Sequence, residues 1–341
     1  MIRNLFGAFL ALALFVLPSV TFAQNADRWE FRQFQIENDV FYVPYSQPGD
    51  RFYTSGLRVN FGKPLLDASD ARDATPLWLR PVRRFCAACE ISPNFSFGQQ
   101  IYTPEDLENP APQPGERPWA AWVYGSLGAA IDTSNRTRHD VEVQFGLTGD
   151  SAGGELGQKA YHELASRPDP AGWENQLGPD FGINGYYNFQ HIWLAGDGLV
   201  GWDFVPSIKA AVGTMTTFAG IGGTVRLGPK IWDFPYSPNR PSPRRGAPQP
   251  WSELEVYGFF GWEIRAVAYN YFLEGSLFDT EPITVDAERY VRDFSFGVTA
   301  RWRRYNLTYS VVHRSEEFER TVGTDSGVHT YGSLSLTVGL P

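Results

Sequence analysis

The chain has 341 residues, 29 Lys and Arg against 38 Asp and Glu, a formal net charge of -9 and an aromatic content of 15%. That acidic balance excludes nucleic acid as a partner, because binding to a phosphate backbone rests on clustered cations. Two cysteines cannot complete a four-ligand zinc site, and no stretch of eighteen consecutive apolar residues offers a membrane-spanning helix.

The first segment pairs Arg3 with an apolar run from Leu5 to Val16, then Pro18 and Thr21-Phe22-Ala23. A positive start, a short apolar stretch and a T-x-A site predict a secretory signal peptide over 1–23, leaving 24–341 as one exported domain. A lone membrane anchor is the alternative, but the run falls short of the ~20 residues that a spanning helix needs.

From there to the end, alternation with period two recurs. It is clearest in the last segment, where Leu334, Leu336, Val338 and Leu340 face one way and Ser333, Ser335 and Thr337 the other. Twelve such segments follow one another: 29–38, 53–62, 94–102, 119–131, 138–149, 181–192, 201–213, 218–228, 253–264, 289–302, 305–317 and 328–340. Residues 265–275 read as the extension of a hairpin rather than a thirteenth span. Several segments reach ~10 residues, the length that tilted strands need to cross a bilayer. The expected fold is therefore all-β, an antiparallel transmembrane β-barrel of about twelve strands. A secreted β-sandwich or propeller is disfavoured, since no blade-like repeat is visible.

An even strand number puts both ends of the barrel domain at the periplasmic side. The loops 39–52, 103–118, 150–180, 265–288 and 318–327 then share the extracellular end. The inner connections 132–137, 193–200 and 303–304 are short, whereas 63–93 and 229–252 are longer and rich in Pro and Arg. Cys86 and Cys89, spaced C-x-x-C in one of these, lack the βαβ setting of a redox motif. In an oxidising compartment they are expected to form a small structural disulfide.

Three outer segments carry unusual residues. Glu37-Asn38-Asp39 ends one strand and Asp50 to Gly56, with Thr54, begins the next, so a hairpin brings their oxygens together. Such oxygens suit a hard cation, although Asn, Asp and Gly are also ordinary turn residues. Gly98 to Pro104 reads as a strand end with an interfacial tyrosine. The long loop 150–180 holds Gly153 to Leu164, in which Glu155, Gln158, Lys159 and His162 fall on one helical stripe and Leu156, Ala160, Tyr161 and Leu164 on the other. This predicts a short amphipathic helix on top of the barrel, ended by Arg167-Pro168. His162 is suited to general-base work near neutral pH, and it shares the outer end with Asn38, Asp39 and Thr54. His139, His191, His313 and His329 have no comparable setting and read as structural.

Taken in order, N-D, D-x-x-Y-T-x-G, Q-x-I-Y-T-P and G-G-x-x-x-Q-x-x-x-H followed by W-x-x-Q resemble the lipid A 3'-O-deacylase family of outer-membrane enzymes. The resemblance runs from Asn38 to Gln176 and continues more weakly through Gly261-Trp262-Glu263 and Asn270-Tyr271 to the last strand. It implies a monomeric barrel of about twelve strands in the outer membrane. The implied activity is release of an ester-linked acyloxyacyl chain from lipid A, the lipopolysaccharide anchor in the outer leaflet, with Ca2+ as cofactor. By the same resemblance His162 would activate a water, Gln158 would sit beside it, Asn38 and Asp39 would serve the calcium site, and Thr54 would line it. The chain departs from the family where an acidic residue is expected between the histidine and the tryptophan. Pro168 stands there; Asp169 is the nearest substitute as a metal ligand, ahead of Glu163 and Asp180. The alternatives are a non-catalytic channel or structural barrel, and a phospholipase-like hydrolase with Ser55 as nucleophile.

Overall fold

The structure, a computed structural model, describes residues 30–41, 51–62, 76–231, 234–235, 251–280, 283–319 and 327–340. The expected leader, 1–23, and Asp50 lie outside the described residues. Thirteen strands are present among the described residues: β1 (Glu30–Asn38), β2 (Phe52–Gly62), β3 (Glu90–Thr103), β4 (Ala120–Ser134), β5 (Thr137–Thr148), β6 (Phe181–His191), β7 (Leu194–Gly196), β8 (Gly201–Gly213), β9 (Thr216–Gly228), β10 (Trp251–Asn270), β11 (Tyr290–Arg303), β12 (Tyr305–Arg314) and β13 (His329–Leu340). Apart from β6 and β7, which do not pair with each other, every strand pairs antiparallel with its sequence neighbours; β1 pairs with β13 and β6 directly with β8, so twelve strands close into a barrel. The three-residue β7 pairs with β8 alone, just past the last β6–β8 pair, Gln190↔Ser207, and so continues the line of β6 along the same edge of β8. Closure removes every sheet edge, the condition for placing strands in lipid.

The twelve expected segments each fall on a strand of the ring. β3 begins at Glu90 and runs through Pro93, which lies beyond the last pair with β2, Gly62↔Asn94, where a missing N–H leaves no bond unmade on that side. β10 extends to Asn270, as the hairpin reading of 265–275 anticipates. It stops there because the Asn270 side chain accepts from the Phe272 N–H and caps the one-turn helix Tyr271–Glu274.

Alternation sorts the two faces of the wall. Phe97, Val143, Phe145, Phe296 and Val298 point outward and remain exposed, as a lipid-facing band requires. Asn60, Ser96, Ser126, Thr308 and Ser333 point inward and are buried. Charges inside the barrel are paired: Arg138 with Asp132, Arg226 with Asp203 and Arg314 with Asp293 face each other on adjacent strands, and Arg58 of β2 reaches Glu142 of β5. A buried charge without a partner would cost several kcal/mol, so these strands carry the two signs together.

The outer mouth is stoppered. Tyr102 of β3 stacks on Phe272 from the far side, centroids 4.3 Å apart, and Tyr53 meets Tyr331 edge-on at 5.0 Å. Arg117, from the loop after β3, lies over Tyr102 and donates to Glu317, which follows β12, at 2.9 Å. Residues 315–319 leave the strand to make this contact, which is why β12 ends at Arg314 and not at 317.

Candidate active site

The site begins with the alternation of β1 to β4. Asn38 follows Phe34 and Ile36 on the outward series of β1, and in register it faces Ser55, as Ile36 faces Leu57. On β3 the outward series runs Phe95, Phe97, Gln99, Ile101, Thr103, and on β4 it includes Ala121 and Val123. An irregularity in the β2–β3 register between Tyr53 and Ser55 leaves Thr54 as the extra residue. Tyr53 points into the lumen, while the Thr54 hydroxyl reaches the Thr103 hydroxyl at 2.6 Å. Asn38 donates from Nδ2 to the Thr54 carbonyl at 3.1 Å, and Asp39, in the turn that follows, accepts from the Arg51 N–H at 2.9 Å. Asn38, Thr54 and Thr103 are all buried, although they lie on the lipid side of the wall.

The cover over the adjoining strip comes from the loop 150–180. Its helix (Gly154–Ala165) lies against β3 and β4, close enough that a Cβ on Gly154 would stand 2.4 Å from Trp173 and 2.6 Å from the Ala121 Cβ. Gly157 rests on Gln99 and Ile101. Glycine at both positions lets the helix backbone approach the wall directly. Gln99 fastens the start of the loop by donating to the Ala152 carbonyl at 2.7 Å.

Burial along this helix does not follow the two stripes read from the sequence. Glu155 and Lys159 are exposed, but so are Leu156 and Ala160, while Gln158 and His162 are buried together. The polar pair therefore faces the protein and the Leu156 side faces out. The cause is the seat: the side that carries Gly154, Gly157, Gln158 and His162 is pressed against the outside of the barrel, and the other side is left exposed.

His162 is 2% exposed, and its Nδ1 lies 2.5 Å from the Pro168 carbonyl oxygen. A carbonyl only accepts, so Nδ1 donates and a neutral ring carries its lone pair at Nε2. The contact follows from the end of the helix. Ser166 takes the left-handed conformation at φ 54, and the Arg167 N–H returns to the His162 carbonyl, so the chain doubles back over the ring. Pro168, which stands where the family resemblance led us to expect an acid, thus contributes its backbone oxygen. One turn before His162, Gln158 accepts from the Trp173 indole at 2.9 Å, and its Nε2 is buried with no hydrogen-bond partner among the described residues.

The residues expected from sequence therefore form two groups flanking the outer end of β3: Asn38, Asp39 and Thr54 on the β2 side, Gln158 and His162 on the β4 side. Asp169 is exposed, and its field reaches Lys159, whose pKa is held above its ordinary value first by the hydrogen bond it donates to Glu155. Among the described residues Asp169 makes no hydrogen bond or ion pair to Asp39. Glu163 is exposed, and Asp180 gives its backbone N–H to Thr148. Sequence reasoning passed over Thr103, inside the segment read as a plain strand end, and gave Trp173 no role. It had no means of seeing the Pro168 carbonyl.

Among the described residues no three His, Cys, Asp or Glu side chains come together as a metal-binding group. A cation here would depend on the single carboxylate of Asp39 with the neutral oxygens of Asn38 and Thr54. By type these all-oxygen donors fit a hard ion such as calcium, which accepts amide, carbonyl and water oxygens beside carboxylates.

Comparison with known proteins agrees with the fold. No curated protein matches the chain in sequence. Among solved structures, LpxR from Salmonella typhimurium superposes with a TM-score of 0.71 at 22% identity, covering 90% of this chain and 99% of that one. The β domain of the Bordetella autotransporter BrkA reaches a TM-score of only 0.41 at 8% identity, covering 92% and 98%. The family model described as outer membrane protein LpxR matches residues 8–340. The chain therefore belongs to the outer membrane protein LpxR family and forms a twelve-stranded barrel of the bacterial outer membrane.

Proposed function

We propose that this chain is a calcium-dependent lipid A deacylase that hydrolyses the ester holding an acyloxyacyl chain at the 3' position. The observation that carries the reading is the burial of His162 against the outside of the barrel, with its ring oriented by the Pro168 carbonyl. A base on that side meets a lipid from within its own leaflet, so the substrate need not leave the membrane. Family membership adds to this, since the motifs that resemble the deacylases lie at this strip.

In this reading His162 Nε2 removes a proton from a water, which attacks the ester carbonyl carbon. The tetrahedral intermediate collapses as the bond to the sugar oxygen breaks, and the imidazolium returns its proton to that oxygen. The products are the free acyloxyacyl acid and a sugar hydroxyl. Gln158, fixed by Trp173, positions substrate or water through its buried Nε2. Asn38, Asp39 and Thr54 would hold the calcium ion, which when bound supplies positive charge for the developing oxyanion. Ser55, the rival nucleophile, has no hydrogen bond to a histidine among the described residues. The channel reading meets a lumen whose charges are paired and whose mouth is filled by Tyr102 and Phe272.

The test is mass spectrometry of lipid A from cells expressing the chain, H162Q or D39N. Loss of the acyloxyacyl mass with the wild type is expected, with a fall of roughly 10²–10⁴-fold in H162Q. D39N should regain activity only at raised calcium. Unaltered lipid A with a correctly inserted wild-type barrel would refute the deacylase reading.

A further inference from the structure

The outward series of β3 and β4 should be lipid-exposed along its whole length. Phe95, Phe97 and Leu127 are exposed, but Ile91, Ala129 and Ile131, which belong to the same outward series nearer the periplasmic end, are buried. What buries them is the segment between β2 and β3. Leu79, with Val82 and Cys86, packs on Ile91, Ala129 and Ile131, so the 3-10 turn Leu77–Leu79 and the helix Arg80–Phe85 lie on the outside of the barrel. The Cys86–Cys89 disulfide ties the end of this helix to the start of β3, and Arg83 closes the same turn by donating to the Cys89 carbonyl at 2.6 Å.

A segment on this side of the wall exposes its remaining side chains to the bilayer boundary. Leu77 is 75% exposed, Trp78 41% and Phe85 91%, beside the exposed Arg80 and Arg84. Residues 76–89 contain three arginines and no acidic residue, in a chain whose net charge is -9. Apolar and aromatic groups next to cations are the composition of an interfacial segment seated at the headgroup level.

We propose that residues 77–89 form an interfacial clasp that binds an anionic phospholipid of the inner leaflet, with Arg80 and Arg84 on its phosphate and Trp78 and Phe85 among the acyl chains. The occupant follows from charge complementarity and from continuity with the lipid-facing band. The disulfide has the role of holding the clasp against the wall. This inference is independent of the deacylase reading.

The test uses the full chain, released from detergent in native mass spectrometry after equilibration with equal amounts of phosphatidylglycerol and phosphatidylcholine. A basic side chain at an anionic surface contributes roughly a factor of five. The wild type should retain phosphatidylglycerol preferentially, R80Q/R84Q should lose roughly tenfold or more of that preference, and K159Q, at the outer end, should keep it. Equal retention of both lipids by the wild type, or an unchanged preference in R80Q/R84Q, would overturn the proposal. Should R80Q/R84Q fail to fold, proteoliposomes with chain-brominated lipid decide. W78F must then lack a quenchable fluorescence component that the wild type shows, and identical quenching in the two would refute the clasp.

Discussion

The stopper gives the sharpest energetic prediction, through Glu317→Gln. The Arg117 side chain is completely buried, and its Nε and Nη2 have no hydrogen-bond partner among the described residues, so Glu317 is its counter-charge. Arg314 also donates to Glu317, at 3.2 Å, but keeps two bonds to Asp293. The substitution therefore strands one buried guanidinium, not two. Breaking a buried pair from one side costs about 3–5 kcal/mol, and the Tyr102 face offsets roughly 1 kcal/mol of it. We expect a loss of about 3 kcal/mol in urea unfolding, followed by the heat-dependent gel mobility of folded barrels. R117M/E317Q should recover most of the loss, because no charge then remains unpaired. The dependence on pH has a definite sign. Burial pushes the Glu317 carboxyl up, but Arg314 and Arg117 outweigh it and hold the group well below the ordinary carboxylate range. Its contribution is thus complete above the unfolded value and is lost as pH falls toward the depressed folded one. The gap between wild type and E317Q should narrow in acid. A loss under about 1 kcal/mol, or a double variant no more stable than E317Q, would refute the reasoning.

Gly154→Val would press methyl groups into Trp173 and Ala121, at an overpacking cost of about 1–3 kcal/mol that falls on the attachment of the helix. Lipid A turnover should drop at least about tenfold while the barrel's unfolding midpoint stays put; a shifted midpoint would mean that the helix is integral to the barrel. Phe272→Ala removes one half of the stacked pair in the mouth, and single-channel recording in planar bilayers should show a conductance absent from the wild type. Ser166→Gly should relieve about 1 kcal/mol of left-handed strain, measured as slower proteolysis of the 150–180 loop with activity retained.

The barrel was legible because a membrane wall separates lipid from lumen at every second residue, and Leu334 to Leu340 carry that signature with no help from distant contacts. The disulfide was legible from spacing and compartment. Less visible were features whose meaning depends on what lies opposite. A helical wheel puts Leu156 and Gln158 on opposite stripes, and only the seat on Ala121 and Ile101 decides which of them is covered. The orienting partner of His162 is a backbone oxygen, which no residue type announces; the acid expected at 168 came from the family resemblance, as a metal ligand. Arg117 and Glu317 are 200 residues apart and belong to no motif. The short β7 lies within a stretch read as a plain inner connection, 193–200, since three residues carry too little alternation to register.

A cylinder of twelve strands set into a permeability barrier is a leak unless something fills it. Under the proposed function the reacting groups sit on the outer skin of the cylinder, so its bore would have no solute to pass and can be given over to paired charges and stacked rings. The stacking of Tyr102 on Phe272 is in this sense a debt owed to the envelope and not to the chemistry.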